Sequence, residues 1–196
     1  MCKMIHNKYY NLLTLYCGDY AREIHGRAII GKVPLSQKGI AIALEELKKE
    51  NILKSRKTGN MKYFKLNLKN TALKDIIEIT ENIKKIRVFE KHRKLAYLFK
   101  EDKRIVGIFG SYAKGAEKKE SDVDVFIVGK KKQDDYQQKG RMIDLDVSIK
   151  YFSGSEFKKL LKQKNTLCKE IVTNHILVFN KEEFIDFIWR YYYGFH

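Results

Sequence analysis

The stretch GIFGSYAKGAEKKESDVDVFIV, residues 107–128, restricts the possible folds more than any other part of the chain. It predicts a buried strand, a tight turn at Gly110 and a second strand that carries Asp122 and Asp124. Because side chains alternate along a strand, these two aspartates project from the same face. Two carboxylates this close repel each other unless a cation lies between them. The pattern therefore predicts a metal site beside a glycine turn.

The glycine turn and the aspartates also predict a phosphate site. Gly110 permits a sharp turn and a close approach of a ligand to the backbone. Ser111 and the amides after it can begin a helix whose positive end faces a phosphate. A third predicted strand, RMIDLDVSIKYF, places Asp144 and Asp146 on one face, and either could supply a further carboxylate. Three carboxylates, two magnesium ions and a nucleoside triphosphate form an arrangement for in-line displacement at phosphorus.

Strands and helices alternate through the second half of the chain, which is typical of a small α/β or α+β layer. The predicted strands are RIVGIFG, SDVDVFIVG, RMIDLDVSIKYF and HILVFN, and the predicted helices cover residues 155–162, 167–173 and 181–193. The last helix, rich in aromatic residues, is expected to pack on the core, although a platform for stacking nucleic-acid bases is an alternative.

The first half predicts three helices followed by a hairpin. The helices cover residues 9–16, residues 20–25 between Asp19 and Gly26, and a segment that begins after Ser36. In the third helix Ile40, Leu44 and Leu47 recur at helical spacing. Two strand-like runs then flank a turn at residues 58–60.

This order of elements resembles a winged helix-turn-helix domain over residues 5–68. The resemblance implies that the helix after Ser36 enters the major groove of DNA and that the hairpin contacts phosphates. A winged-helix fold that serves protein contacts is the alternative. The residues expected at nucleic acid are Ser36, Gln37, Lys38, Lys54, Arg56, Lys57 and Lys62.

The distribution of charge favours a polyanionic partner. The net charge is +16, and residues 1–100 contain 22 lysines and arginines against 9 acidic residues. A positive half of this kind most often binds nucleic acid, here expected to be duplex DNA. Lysine used only to solvate the surface is the alternative.

Other function classes are excluded by what the sequence lacks. No apolar run approaches the roughly 20 residues of a membrane span, and residues 1–10 do not have the apolar segment of a signal peptide. Cys2, Cys17 and Cys168 predict neither a disulfide framework nor a zinc site. We therefore expect a reduced, cytoplasmic protein.

The segment GSYAKGAEKKESDVDVFIV resembles the GSx(10)DxD signature of the polymerase-β-like nucleotidyltransferases in their minimal form, over residues 101–180. The resemblance implies that Gly110 and Ser111 hold a triphosphate, and that Asp122 and Asp124 bind two magnesium ions. It also implies a third carboxylate on a neighbouring strand. Asp144 and Asp146 both qualify, and we favour Asp146 from its spacing to YFSGSEF. Only residues 129–141 separate the second and third strands, which leaves little room for a substrate-specificity element.

The expected protein is α+β, with a winged helix-turn-helix over residues 1–70, a helical connector over 71–100 and a small mixed-sheet nucleotidyltransferase fold over 101–196. The connector either mediates a homodimer or packs within the chain. The resemblance implies transfer of AMP from ATP, or of another nucleotide, to a hydroxyl, with a HEPN-type ribonuclease toxin as a possible acceptor. Two alternatives remain: a transcriptional regulator that only senses nucleotide, and a nucleotidyltransferase that acts on RNA.

Overall fold

The structure is a computed structural model that describes residues 7–99, 101–118, 120–132 and 135–195. It contains two compact units, of which the first ends at Ile83 and the second begins at Lys84. Cys17 and Cys168 are buried free thiols, and Cys2 lies outside the described residues. No helix within these ranges combines the length and apolar character needed to cross a bilayer.

The first unit begins with helix α1, Lys8–Leu13, which continues as a 3₁₀ turn over Thr14–Tyr16 and confirms the first predicted helix. The second predicted helix, residues 20–25, is wrong. Asp19 accepts a hydrogen bond from the Ala21 amide in a turn, and Ile24–His25 forms strand β1. A 3₁₀ turn over Gly26–Ile29 follows. Strand pairing and burial of Ile24 outweigh the weak helix propensity of this short segment.

The third predicted helix and the hairpin are confirmed. Helix α2, Gln37–Lys49, begins where the Ser36 hydroxyl accepts a hydrogen bond from the Gly39 amide at 3.1 Å, and its buried face contains the three predicted apolar residues. Strands β2, Leu53–Thr58, and β3, Met61–Leu66, are joined by a two-residue turn at Gly59 and Asn60. The three strands form an antiparallel sheet in the order β1-β3-β2.

The segment predicted as helical after the hairpin consists of α3, Leu73–Lys91, and α4, Arg93–Leu98. The boundary between the two compact units falls within α3. Leu95 and Leu98 of α4 are fully buried in the core of the second unit.

The second unit is built on a small mixed sheet of four strands, as predicted: β4, Ile105–Phe109; β5, Val123–Val128; β6, Val147–Phe152; and β7, Ile176–Phe179. They lie in the order β6-β5-β4-β7. Strands β5 and β6 are parallel, and β4 is antiparallel to both β5 and β7.

Helices of the second unit cover both faces of this sheet. On one face Val123, Val125 and Ile127 pack with buried residues of α4 and of the two helices that follow β4 and β5. On the other face Phe126 contacts the ring of Phe184 at 5.5 Å. The helices are α5, Gly110–Lys114; α6, Tyr136–Met142; α7, Gly154–Gln163; α8, Thr166–Thr173; and α9, Lys181–Phe187, which continues as a π-helical turn over Ile188–Tyr192.

The predicted strand RMIDLDVSIKYF is wrong in its first half. Arg141 and Met142 end α6, and β6 begins only at Val147. The chain turns back after the helix because the Leu145 amide donates to the Gly140 carbonyl at 2.9 Å. Helix α6 occupies most of the second half of the segment 129–141, which we expected to leave little room for a substrate-specificity element.

A buried carboxylate joins α6 to the start of β4. Asp102, whose side chain is 3% exposed, accepts hydrogen bonds from Arg104 at 2.6 Å and from the Tyr136 hydroxyl at 3.1 Å. Burial alone would raise the pKa of Asp102, but the hydrogen bonds and charge of Arg104, with Tyr136, lower it to about 2. The carboxylate is therefore ionised at neutral pH.

Candidate active site

The glycine turn predicted from the sequence lies at the end of β4 and touches Asp124. Phe109, the last residue of β4, pairs with Asp124 of β5. Gly110 has φ +70° and opens α5. A Cβ atom at Gly110 would overlap Oδ2 of Asp124 and lie 3.1 Å from its Cγ. The turn therefore brings bare backbone against a carboxylate, which only glycine permits.

Asp122 and Asp124 give this edge of the sheet an excess of negative charge, although β5 begins only at Val123, between them. Asp124 is half-buried, and Asp122, just before the strand, is exposed. Burial, then the charge of Asp122 and then that of Glu170, raise the pKa of Asp124. Lys150 and Lys114 oppose this rise. A carboxylate whose ionised form is disfavoured by neighbouring charges is suited to binding a cation.

The strand register places Asp146 next to Asp122. Val123 pairs with Val147, and the Val123 amide donates to the Asp146 carbonyl at 2.8 Å. Asp122 and Asp146 therefore occupy equivalent positions where two neighbouring parallel strands begin, and such strands lie about 4.8 Å apart.

Asp144 does not share the position of Asp146. It has φ +53° in the loop after α6, its side chain is 95% exposed, and Lys94 Nζ lies 3.6 Å away. The prediction that both residues lie on one strand face is thus wrong, since the strand begins after both of them.

The expected cluster of three carboxylates is not assembled. Across residues 7–99, 101–118, 120–132 and 135–195, no three His, Cys, Asp or Glu side chains are grouped closely enough to hold a metal ion. The exposed carboxylate of Asp146 precedes β6 and is not fixed by the strand. Asp122 and Asp124 nevertheless fit a hard divalent cation, because they offer carboxylate oxygens where the negative charge is in excess.

Three charged residues near Asp124 were missed by the sequence analysis. Lys114 follows Ser111 by one helical turn and forms an ion pair with Glu170 at 2.6 Å. Lys150 is the register partner of Phe126, so it lies on the same face as Asp124. Helix spacing and strand alternation could have indicated the two lysines, but Glu170, on α8, comes near only through the fold.

The residues predicted to contact nucleic acid lie in the first unit and differ in their availability. Gln37 and Lys38 are exposed in the first turn of α2. Ser36 is exposed, but its hydroxyl is used as the helix cap.

The hairpin cations are partly engaged within the unit. Arg56 donates to Glu23 at 2.7 Å and lies 4.9 Å from the ring of Tyr63. Lys62 forms an ion pair with Glu45. Lys54 and Lys57 are exposed and make no ion pair with any residue that the structure describes.

Comparison with known families agrees with this geometry. The strand, glycine turn and acidic strand define a nucleotidyltransferase type of domain, and the family model described as Polymerase beta, Nucleotidyltransferase matches residues 72–184. The match covers more than half of the chain, and the chain belongs to this nucleotidyltransferase family. No significant similarity to a curated protein or to a solved structure is found.

Proposed function

We propose that the chain is a magnesium-dependent enzyme that transfers AMP from ATP to an acceptor hydroxyl and releases pyrophosphate. The observation that carries the proposal is the contact between Gly110 and the Asp124 carboxylate, with Asp122 directly before the same strand. Phosphates can approach the bare backbone at Gly110 while a cation is held by the two carboxylates. Family membership supports nucleotidyl transfer in general.

Each residue of the site has a role in this proposal. The Ser111 hydroxyl and the first amides of α5 donate hydrogen bonds to the triphosphate. Lys114 neutralises phosphate charge when it exchanges Glu170 for the ligand. Asp122 and Asp124 would hold magnesium, which when bound stabilises the charge that develops on the phosphoryl oxygens. Asp146 accepts the proton of the attacking hydroxyl.

The test is transfer of label from ATP in the presence of magnesium and cell lysate. The double substitution Asp122→Asn and Asp124→Asn should abolish transfer while the circular dichroism spectrum is unchanged. Asp144→Asn is the matched control, since it removes an exposed carboxylate that is paired with Lys94 and should leave transfer intact. Transfer by the double variant would show that the chemistry occurs elsewhere.

We also propose that the first unit is a winged helix-turn-helix that binds duplex DNA. It is supported by the exposed Gln37 and Lys38 at the start of α2 and by the exposed Lys54 and Lys57 of the hairpin. Because Arg56 and Lys62 are engaged by Glu23 and Glu45, we assign the phosphate contacts to the two exposed lysines.

A salt series of fluorescence anisotropy on the full chain tests this assignment. Lys54→Ala with Lys57→Ala should reduce the slope of log K against log salt by about 1.8, at about 0.9 for each lost phosphate contact. Lys48→Ala with Lys49→Ala, at the far end of α2, gives the same change in net charge and should not alter the slope. Equal effects of the two pairs would contradict a specific hairpin contact.

The acceptor distinguishes the remaining possibilities. We propose a HEPN-type toxin as the acceptor on the resemblance alone, and label in a protein band would support it, whereas label in RNA would support an RNA-directed enzyme. Binding of DNA without any transfer would favour a regulator that senses nucleotide. We further propose a homodimer through the helical connector, where Ile86 of α3 is exposed, and light scattering would measure its mass.

A further inference from the structure

Lysines and tyrosines form a mixed surface at the C-terminal end of the second unit. The Nζ atoms of Lys158 and Lys162 of α7 lie 4.4 Å and 5.9 Å from the ring centroid of Tyr191. Lys164, which follows α7, lies 5.2 Å from the ring of Tyr192. Both tyrosines are only half-buried. We call these five residues the lysine–tyrosine surface.

This surface is outside the machinery described above. The family match ends at residue 184, before both tyrosines. Tyr191 and Tyr192 both belong to the π-helical turn Ile188–Tyr192. Turns of this type occur frequently at functional sites. Ring contacts from Phe126 to Phe184 and from Phe184 to Phe157 place α7 and α9 on the sheet face that also carries Asp124.

The local charge restricts what can cover the surface. Residues 154–169 contain five lysines and one glutamate before Glu170. A second copy of the chain would bring lysines against lysines, which repel. The partner must therefore be anionic and must also offer flat apolar groups to the tyrosine rings.

Single-stranded nucleic acid has both properties, because its phosphates are negatively charged and its unpaired bases can stack on aromatic rings. We propose that the lysine–tyrosine surface binds single-stranded nucleic acid, with the lysines at phosphates and the tyrosine rings stacked on bases. The cation–π interaction of a lysine with an exposed ring is weaker than the stacking of a base on that ring. The lysine ammonium can therefore move to a phosphate while a base stacks on the tyrosine. The proposal does not depend on transfer activity.

The test uses the full chain and a labelled 12-nucleotide oligoadenylate, as RNA and as DNA, with the corresponding duplexes. Trp189 is the single tryptophan of the sequence, and its ring lies 5.2 Å from Phe195, which stacks on Tyr193 at 5.1 Å. The fluorescence of Trp189 therefore reports binding of an oligonucleotide close to this cluster of rings. We expect single strands of both kinds to change this fluorescence, since neither contact uses the 2′-hydroxyl, and duplexes to leave it unchanged.

Variants separate stacking from charge. Tyr191→Leu and Tyr192→Leu should each weaken binding about tenfold, and the phenylalanine variants, which keep the rings, should bind like the wild type. Lys158→Gln with Lys162→Gln should reduce the salt slope by about 1.4, at about 0.7 for each single-strand phosphate. Lys159→Gln with Lys169→Gln makes the same change in net charge on exposed residues of α7 and α8 and should leave the slope unchanged.

The hairpin of the first unit is a second possible binding site, and the fluorescence of Trp189 distinguishes the two. Lys54→Ala with Lys57→Ala should leave the Trp189 response to single strands intact. Three results would overturn the proposal: no Trp189 response to a bound single strand, equal responses to duplex and single strand, or equal effects of the two lysine-to-glutamine pairs.

Discussion

Replacing Gly110 with alanine should lower the free energy of unfolding of the second unit for two reasons, backbone strain and overlap with a neighbouring side chain. Gly110 has φ +70°, and an alanine there would adopt a left-handed conformation that costs about 1–2 kcal/mol. Its Cβ would also overlap the Asp124 carboxylate, and overpacking of this kind typically costs about 1–3 kcal/mol. Together, Gly110→Ala should cost about 2–5 kcal/mol.

Gly115, just after the same helix, provides the matched control. It has φ +68°, and nothing lies within 4 Å of a Cβ built there. Gly115→Ala therefore introduces the backbone strain without the overlap and should cost only about 1–2 kcal/mol. Urea unfolding followed by the fluorescence of Trp189, the single and buried tryptophan, reports on the second unit.

A double-mutant cycle tests the cause of the difference. In a background of Asp124→Ala the overlapping carboxylate is gone, so Gly110→Ala should cost no more than Gly115→Ala does in the wild type. The coupling energy is then about 1–3 kcal/mol. If Gly110→Ala costs the same in both backgrounds, the contact with Asp124 does not determine the need for glycine, and the geometry proposed for the site is wrong.

Three further predictions concern carboxylates of the second unit. Asp146→Ala should reduce transfer of label from ATP at least tenfold more than Asp144→Ala, and equal losses would refute the assignment from strand register. Because the pKa of Asp102 in the folded protein is about 2, its ionised carboxylate stabilises the protein by up to about 2 kcal/mol. This contribution is complete above pH 4 and is lost as the pH falls to 2. Asp102→Asn should therefore be less stable at pH 7 and should lack that acid-induced loss in urea unfolding. Asp124→Asn should be more stable than wild type at pH 7, because the pKa of Asp124 is raised, and this advantage should vanish below pH 4, where both the folded and the unfolded carboxyl groups are protonated.

Where local signals and burial agreed, the sequence was a reliable guide to the elements. Ser36 caps α2, whose apolar stripe is buried, and the buried strand before Gly110 forms β4. These features depend on residues close together in the chain. The helix predicted over residues 20–25 failed because Ile24 pairs with Phe64, a partner forty positions away that no local pattern indicates.

The candidate site was predictable in the same uneven way. The spacing from Ser111 to Asp122 and Asp124 was sufficient to place a glycine turn against an acidic strand. The roles of Asp144 and Asp146 could not be separated, because alternation in RMIDLDVSIKYF imitates a strand that begins six residues too early. Engagement of Arg56 by Glu23 was also invisible, since the two residues are brought together only by the sheet of the first unit.

The mixed direction of the strands explains why residues so far apart in sequence lie at one edge of the sheet. Strand β4 ends at this edge and delivers Gly110, whereas β5 and β6, which run the other way, both begin there. Asp122 and Asp146 directly precede Val123 and Val147, the first paired residues of these two parallel strands. Asp124 is the next residue of β5 after Val123. A shift of one residue between β5 and β6 would move Asp146 away from Asp122 and turn Val147 off the apolar face. Burial of that apolar face therefore fixes the register, and the register fixes the position of Asp146 beside Asp122.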